Sequence, residues 1–200
     1  MTCDDLLSRM VAAVDETVDD PDERLAVLLG LIRPLLVAGN ETTTRLLAEA
    51  VALLCDRPAE WRRLRADAAH ATRVTQEALR WCSPVQQMPR RVTCATLLGG
   101  TALPAGATVL VSFASANRDE AVFDRPDRFD PDRADLHRHI AFGHGIHACL
   151  GAGLALLQGR IALQTLAART RRIEVADHEP RYLPGFLLRG RAQLPVRVQR

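Results

Sequence analysis

The feature that most restricts the fold is one long helical pattern. Apolar residues recur at helical spacing from about residue 22 to residue 55, DERLAVLLGLIRPLLVAGNETTTRLLAEAVALLC. As a single helix this run makes roughly nine turns, longer than most small domains need. Two residues disturb its middle. Pro34 has no N–H to donate to the Gly30 carbonyl, and Gly39 carries no side chain, so the sequence predicts a kink or a local opening there. A helix disturbed in its middle is a place to look for a site.

The other elements are shorter. A helix is expected over residues 4–18, where Leu6, Leu7, Met10, Val11 and Val14 share a face before DETVDDPDE breaks the pattern. Further helices are expected over 58–69 and 71–81, the second closing before Ser83-Pro84. Residues 85–115 alternate or cluster as short strands, with Gly99-Gly100 and Pro104-Ala105-Gly106 as turn signals. The next stretch, NRDEAVFDRPDRFDPDRADLHRHIAFGHGIHA, is too polar and proline-rich for a regular element, and loops of this length are usually functional or disordered. A last helix from Cys149 or Leu150 to about Thr170 precedes short strands near 172–175 and 194–198. The pattern is mainly α with small β-sheets, an α+β class, within a single domain over residues 1–200.

Composition narrows the function. A net charge of +2 without charge blocks leaves no electrostatic footprint for nucleic acid or an acidic membrane surface. All the basic residues are arginine, which with the Ala- and Leu-rich background suggests a high-GC bacterial genome. Cys3, Cys55, Cys82, Cys94 and Cys149 are odd in number, widely spaced and without a C-x-x-C pair, so a disulfide framework is not expected and a reducing cytoplasm fits. The start is acidic where a secretory signal is basic. The most apolar run is interrupted by Arg33 and Pro34, so neither a targeting nor a spanning segment is read.

The stretch AFGHGIHACLGAG, residues 141–153, carries the chemistry. A thiolate at the start of a helix is stabilised by unpaired backbone N–H groups, and the glycines around Cys149 let backbone approach a flat ligand. Such a thiolate can bind a metal that needs a single protein ligand, as haem iron does. Read alone, a lone cysteine such as Cys149 is more often a small buried hydrophobe. A zinc site drawing on His137, His139, His144, His147 and Cys149 lacks defined ligand pairs and a closed tetrahedral shell.

The run FGHGIHACLG fits F-x-x-G-x-H-x-C-x-G and resembles the haem-binding signature of the cytochrome P450 family. Three further stretches resemble that family's marks in its order: AGNETT at 38–43 the oxygen-activation motif of the long central helix, EALR at 77–80 the E-x-x-R pair, and RPDRF at 125–129 the segment whose arginine, Arg128, completes that pair. The resemblance implies the C-terminal half of the P450 fold, built on the long central helix and the haem-thiolate loop. It implies haem b bound through Cys149, with Phe142, Gly143 and Gly151 shaping the loop, His147 and Arg91 near the propionates, and Ala38 over the ring. Glu77, Arg80 and Arg128 become a buried structural network, and Val85, Gln86 and Phe186 edge a substrate pocket.

The central motif also has a reading of its own. On a helix Ala38, Glu41 and Thr42 share a face. Reducing dioxygen needs protons, which a carboxylate and a hydroxyl can relay through ordered water, so Glu41 and Thr42 are the catalytic candidates. Their bland alternatives are a solvated charge and a hydroxyl bonded back to the Ala38 carbonyl. The implied activity is that of a monooxygenase using dioxygen to hydroxylate or epoxidise a small apolar organic substrate, in the setting of secondary metabolism. Electrons come from NAD(P)H through ferredoxin reductase and ferredoxin, in the cytoplasm, with no nucleic acid or membrane as partner. Family members are about twice as long, so the alternative expectation is a non-catalytic partial domain that does not sustain turnover.

Overall fold

The computed structural model describes residues 4–177 and 179–199; residues 1–3, with Cys3 among them, His178 and Arg200 lie outside the described residues. The chain divides into two compact units, one ending at Glu41 and one beginning at Thr42.

The first unit holds α1 (Leu6–Thr17) and the beginning of α2 (Pro21–Cys55). Both helices start where capping chemistry dictates. Asp5 accepts from the Ser8 N–H at 2.8 Å to cap α1. Before α2, Asp20 accepts from the Asp22 N–H, and Pro21, which has no N–H to waste, takes the first position. The expected opening at Pro34 and Gly39 does not interrupt α2, which is continuous α-helix from end to end. By length and composition alone α2 is long and apolar enough to cross a membrane, with mean hydropathy 1.4 over an 18-residue window. A core helix of a soluble protein meets the same measure.

In the second unit the remainder of α2 supplies Leu46, Ala50, Leu53 and Leu54 to a core completed by α3 (Pro58–Ala66), α4 (Ala68–Cys82) and α6 (Ala152–Arg169). Trp61 and Leu64 enter it from α3, Ala71, Val74, Ala78 and Leu79 from α4, and Leu163 and Ala167 from α6. The α3 to α4 break falls at one residue, Asp67. It closes α3 through its N–H to Arg63 and opens α4 by accepting from the Ala69 N–H. That shared cap moves both boundaries a few residues from the pattern-based positions. α4 ends at Ser83 in a left-handed conformation, φ 42°, ahead of Pro84.

Among the described residues the strands form three small antiparallel pairs. β1 (Gln87–Arg91) pairs with β4 (Thr108–Ser112), with Arg91 opposite Thr108. Between them β2 (Thr96–Leu98) and β3 (Thr101–Leu103) make a hairpin whose turn, Gly99-Gly100, has positive φ at both positions and so needs glycine. A short helix, α5 (Phe113–Ala116), follows β4. β5 (Arg172–Val175) and β6 (Val196–Gln199) close the chain.

α4 and α6 approach too closely for a side chain at one point. A Cβ on Gly159 would stand 2.4 Å from Thr75 Cγ2, in a fully packed interface. Gly159→Ala is therefore expected to destabilise the chain by about 1–3 kcal/mol in urea unfolding, and Gly159→Ala with Thr75→Ala to recover most of that loss.

Candidate functional site

Cys149 stands on the turn between the irregular segment and α6, three residues before the helix begins. Its N–H donates to the Phe142 carbonyl at 2.8 Å, which closes a loop over residues 142–149. Inside it Gly143 donates to Ile140 O, and residues 145–147 form one 3-10 turn closed by Ala148 N–H on Gly145 O. Gly143 has φ +71°, and a Cβ there would lie 3.1 Å from the His147 carbonyl, so the loop requires glycine. A Cβ on Gly151 would lie 3.9 Å from Cys149 Sγ, so its absence leaves room beside the sulfur. The thiol is exposed, as are His144 and His147, while Phe142 packs against the core and anchors the loop.

α4 carries a buried ionic network. Glu77 and Arg80 are both fully buried and pair in bidentate fashion, Arg80 Nε to Oε2 at 2.7 Å and Nη2 to Oε1 at 2.9 Å. The other donors of Arg80 reach three carbonyls of the irregular segment, those of Asn117, Pro126 and Arg128. The cation that joins Glu77 is Arg133, whose Nε lies 3.1 Å from Oε2. The Arg133 side chain is buried and also binds Asp135 and the carbonyls of Asp124 and Arg128. Burial lowers the Arg133 pKa, and the charges of Glu77 and Asp135 with their hydrogen bonds more than offset this, holding it above its ordinary value.

The assignment of Arg128 to the network is thus corrected. Its side chain is 59% exposed, its nearest carboxylate is Asp130 at 3.9 Å, and it contributes only its carbonyl. Pro-Asp-Arg occurs twice, at 126–128 and 131–133. The two copies are identical in sequence, and only the backbone path decides which arginine turns inward.

Two further residues hold the entrance to the loop. Asn117, fully buried, accepts from the Ile140 N–H at 2.8 Å. His139 Nδ1 accepts from the Ala141 N–H at 3.3 Å, with its ring 6.0 Å from that of Phe142. Burial pushes the His139 pKa below its ordinary 6.5; Glu77 opposes that shift and Arg80 adds to it.

The remaining candidates are placed as follows. Ala38 and Glu41 lie in α2 at the end of the first unit, and Thr42 begins the second. Arg91 is exposed at the end of β1. Val85 bridges to Leu188, and Phe186 is exposed, its carbonyl accepting from the Gln87 side chain. Gln86 turns its amide back onto the carbonyls of Cys82 and Ser83, finishing α4. Among the described residues no cluster of His, Cys, Asp or Glu could hold a metal, and Cys55, Cys82, Cys94 and Cys149 are all free.

The described residues thus combine a helical fold with small antiparallel sheets, a buried Glu–Arg–Arg network and an exposed thiol on a glycine turn. The sequence model of the cytochrome P450 family matches residues 2–169, and the chain belongs to that family. Cytochrome P450 109 of Bacillus spizizenii is 43% identical over 86% of this chain and 42% of its own length. Cytochrome P450 monooxygenase PikC of Streptomyces venezuelae is 41% identical over 98% of this chain and 47% of its own. Ligand-free CYP164A2 of Mycobacterium smegmatis superposes with a TM-score of 0.84 at 39% identity, over 98% of this chain and 49% of that one. The chain therefore spans about half the length of the curated relatives it matches.

Removing Arg133 leaves Glu77 with Arg80 as its cation and costs the hydrogen bonds of Arg133, so Arg133→Ala is expected to cost about 1–3 kcal/mol. Arg128→Ala is expected to stay within about 0.5 kcal/mol; chemical denaturation of both variants checks the assignment. His139 gives a pH dependence of known sign. Because its folded pKa is lowered, the unfolded chain takes the proton first, so its contribution is complete above pH 6.5 and declines as the pH falls through 6.5 towards the folded value. Denaturation midpoints at successive pH values are expected to show a shallower acid decline in His139→Gln than in the parent.

Proposed function

We propose that the chain forms the thiolate side of a haem monooxygenase that hydroxylates or epoxidises an apolar organic substrate. The observation that carries this reading is the Cys149 turn. One exposed thiol is fixed by backbone hydrogen bonds beside glycines that leave space at the sulfur, with no second ligand cluster among the described residues. That donor set fits a metal whose other ligands are brought by a porphyrin, as in haem b. Bound there, haem supplies the reductive activation of dioxygen.

The chain's own residues do the rest. Cys149 Sγ would hold the haem iron as thiolate, and Phe142, Gly143 and Gly151 keep its turn open. His147 and Arg91 offer positive charge and hydrogen-bond donors to the propionates. Glu41 and Thr42, with Ala38 one turn before, order water and relay protons from α2. Glu77, Arg80 and Arg133 fix the irregular segment from which the turn emerges. Val85 and Phe186 border the substrate, Gln86 contributing through backbone.

Relatives are named for hydroxylating erythromycin at C-12 and vitamin D3 at C-25, and another for epoxidising cyclomarin C. Those names support a bulky, largely apolar substrate here and a role in secondary metabolism. Electrons from NAD(P)H arrive through a ferredoxin reductase and a ferredoxin, and the free cysteines support a reducing cytoplasm. One observation favours a second reading. Ile146 and Leu150, on either side of Cys149, are almost wholly exposed. An apolar ring on this face loses much of its binding free energy to water. In that reading these residues ligate haem without sustaining turnover, and substrate oxidation by the purified chain overturns it.

The test of both is the absorption spectrum of the haem-reconstituted, reduced, carbon-monoxide-treated chain. A strongly red-shifted Soret band is expected, and its loss in Cys149→Ser; a chain with no haem band refutes the proposal.

A further inference from the structure

Asn117 belongs to none of the motifs that mark the site, yet it joins them. It follows α5, its N–H bonded to the Phe113 carbonyl, and it is fully buried. Its three other polar groups go to three different places. The carbonyl accepts from Arg80 Nη1 at 2.8 Å, Nδ2 donates to Ser83 Oγ at 2.9 Å, and Oδ1 accepts from the Ile140 N–H at 2.8 Å. The orientation of the amide follows from chemistry, because a backbone N–H only donates and must face the oxygen.

Each partner is itself constrained. Arg80 is held by Glu77. Ser83 ends α4 in a left-handed conformation that a residue with a side chain adopts at a cost, and its hydroxyl donates to the Arg80 carbonyl. Ile140 accepts from the Gly143 N–H, the first bond of the loop that Cys149 N–H closes on Phe142 O. A single side chain thus ties the end of α4 to the foot of the thiol loop.

We propose that Asn117 is the positioning residue for Cys149, acting through Ile140: it transfers the rigidity of the Glu77–Arg80 pair to the thiol turn. The inference rests on the reading of that turn as a haem ligand, but its structural part stands without haem. Asparagine alone among side chains of its size supplies a donor for Ser83 and an acceptor for Ile140 in one plane. Aspartate keeps the acceptor and loses the donor; leucine fills the volume and loses both.

The experiment is amide hydrogen exchange on the whole 200-residue chain without haem, followed by haem reconstitution. In Asn117→Leu the amides of Ile140, Gly143 and Cys149 are expected to exchange about tenfold faster, the factor that one lost hydrogen bond gives. Core amides of α4 and α6 are expected to stay within about twofold of the parent, the mark of a local opening. Asn117→Asp is expected to retain protection at Ile140. On reconstitution, Asn117→Leu loses the red-shifted carbon-monoxide band in favour of the shorter-wavelength band of haem without thiolate, and Asn117→Asp retains it. Asn117→Ser, polar but too short for Ile140, carries the same test if the leucine variant does not fold. Uniform acceleration across the chain, or unchanged exchange at residues 140–149, overturns the proposal. A parent chain that takes up no haem removes the proposed function while the exchange result still decides the role of Asn117.

Discussion

The Glu77–Arg80 pair is the interaction on which the rest of the structure depends. Two opposite charges removed from water cost several kcal/mol each and are retained only where every lone pair and proton is used. Here they are used outward. Apart from its partner, Glu77 receives Arg133 and the Asp130 N–H, and Arg80 gives hydrogen bonds to carbonyls at 117, 126 and 128. A segment with almost no regular structure is thereby pinned by charged side chains instead of by a helix or a ladder. Its own backbone groups would be unsatisfied without them.

That arrangement explains why an irregular segment can present a reactive side chain. A loop held only by apolar contacts slides; one held by directional bonds to a rigid helix has one position. The segment begins at the Asn117 carbonyl, is gripped along its length by Arg80 and Arg133, and delivers Ile140 and Ala141 to Asn117 and His139. The thiol turn starts from that fixed point and needs only short bonds of its own. Cation–π contacts of Arg80 and Arg133 with Phe123 place an apolar lid on the charges and lower the local dielectric.

What the sequence discloses and what it hides follow from range. The long helix, the paired helices before and after Asp67, the glycine hairpin and the spacing of Glu77 with Arg80 are all short-range patterns, and periodicity or a local cap is enough to see them. The conformational demand at Gly143 is likewise local. Arg133 and Asn117 are not visible in that way, because their partners lie 56 and up to 37 residues away along the chain. No periodicity relates them. The repeated Pro-Asp-Arg offered two equivalent arginines, and the choice between them is made by the three-dimensional path of the backbone. His139 entered the sequence reading only as a conceivable metal ligand; burial and the neighbouring Ala141 N–H make it a neutral acceptor. The roles of Glu41, Thr42, His147 and Arg91 still rest on the motif and its chemistry.

Asp67 has a further consequence. One residue serves as the last cap of α3 and the first of α4, so the connection has no slack. In most helical proteins the connecting loop absorbs insertions and deletions, and lineages diverge in length there. At this connection a single added or deleted residue rotates α4 by about 100° about its axis. Glu77 and Arg80 then leave the core face together, and Ala71, Val74 and Ala78 turn to solvent. A change of length at this connection is therefore expected to be more damaging than most single substitutions in it.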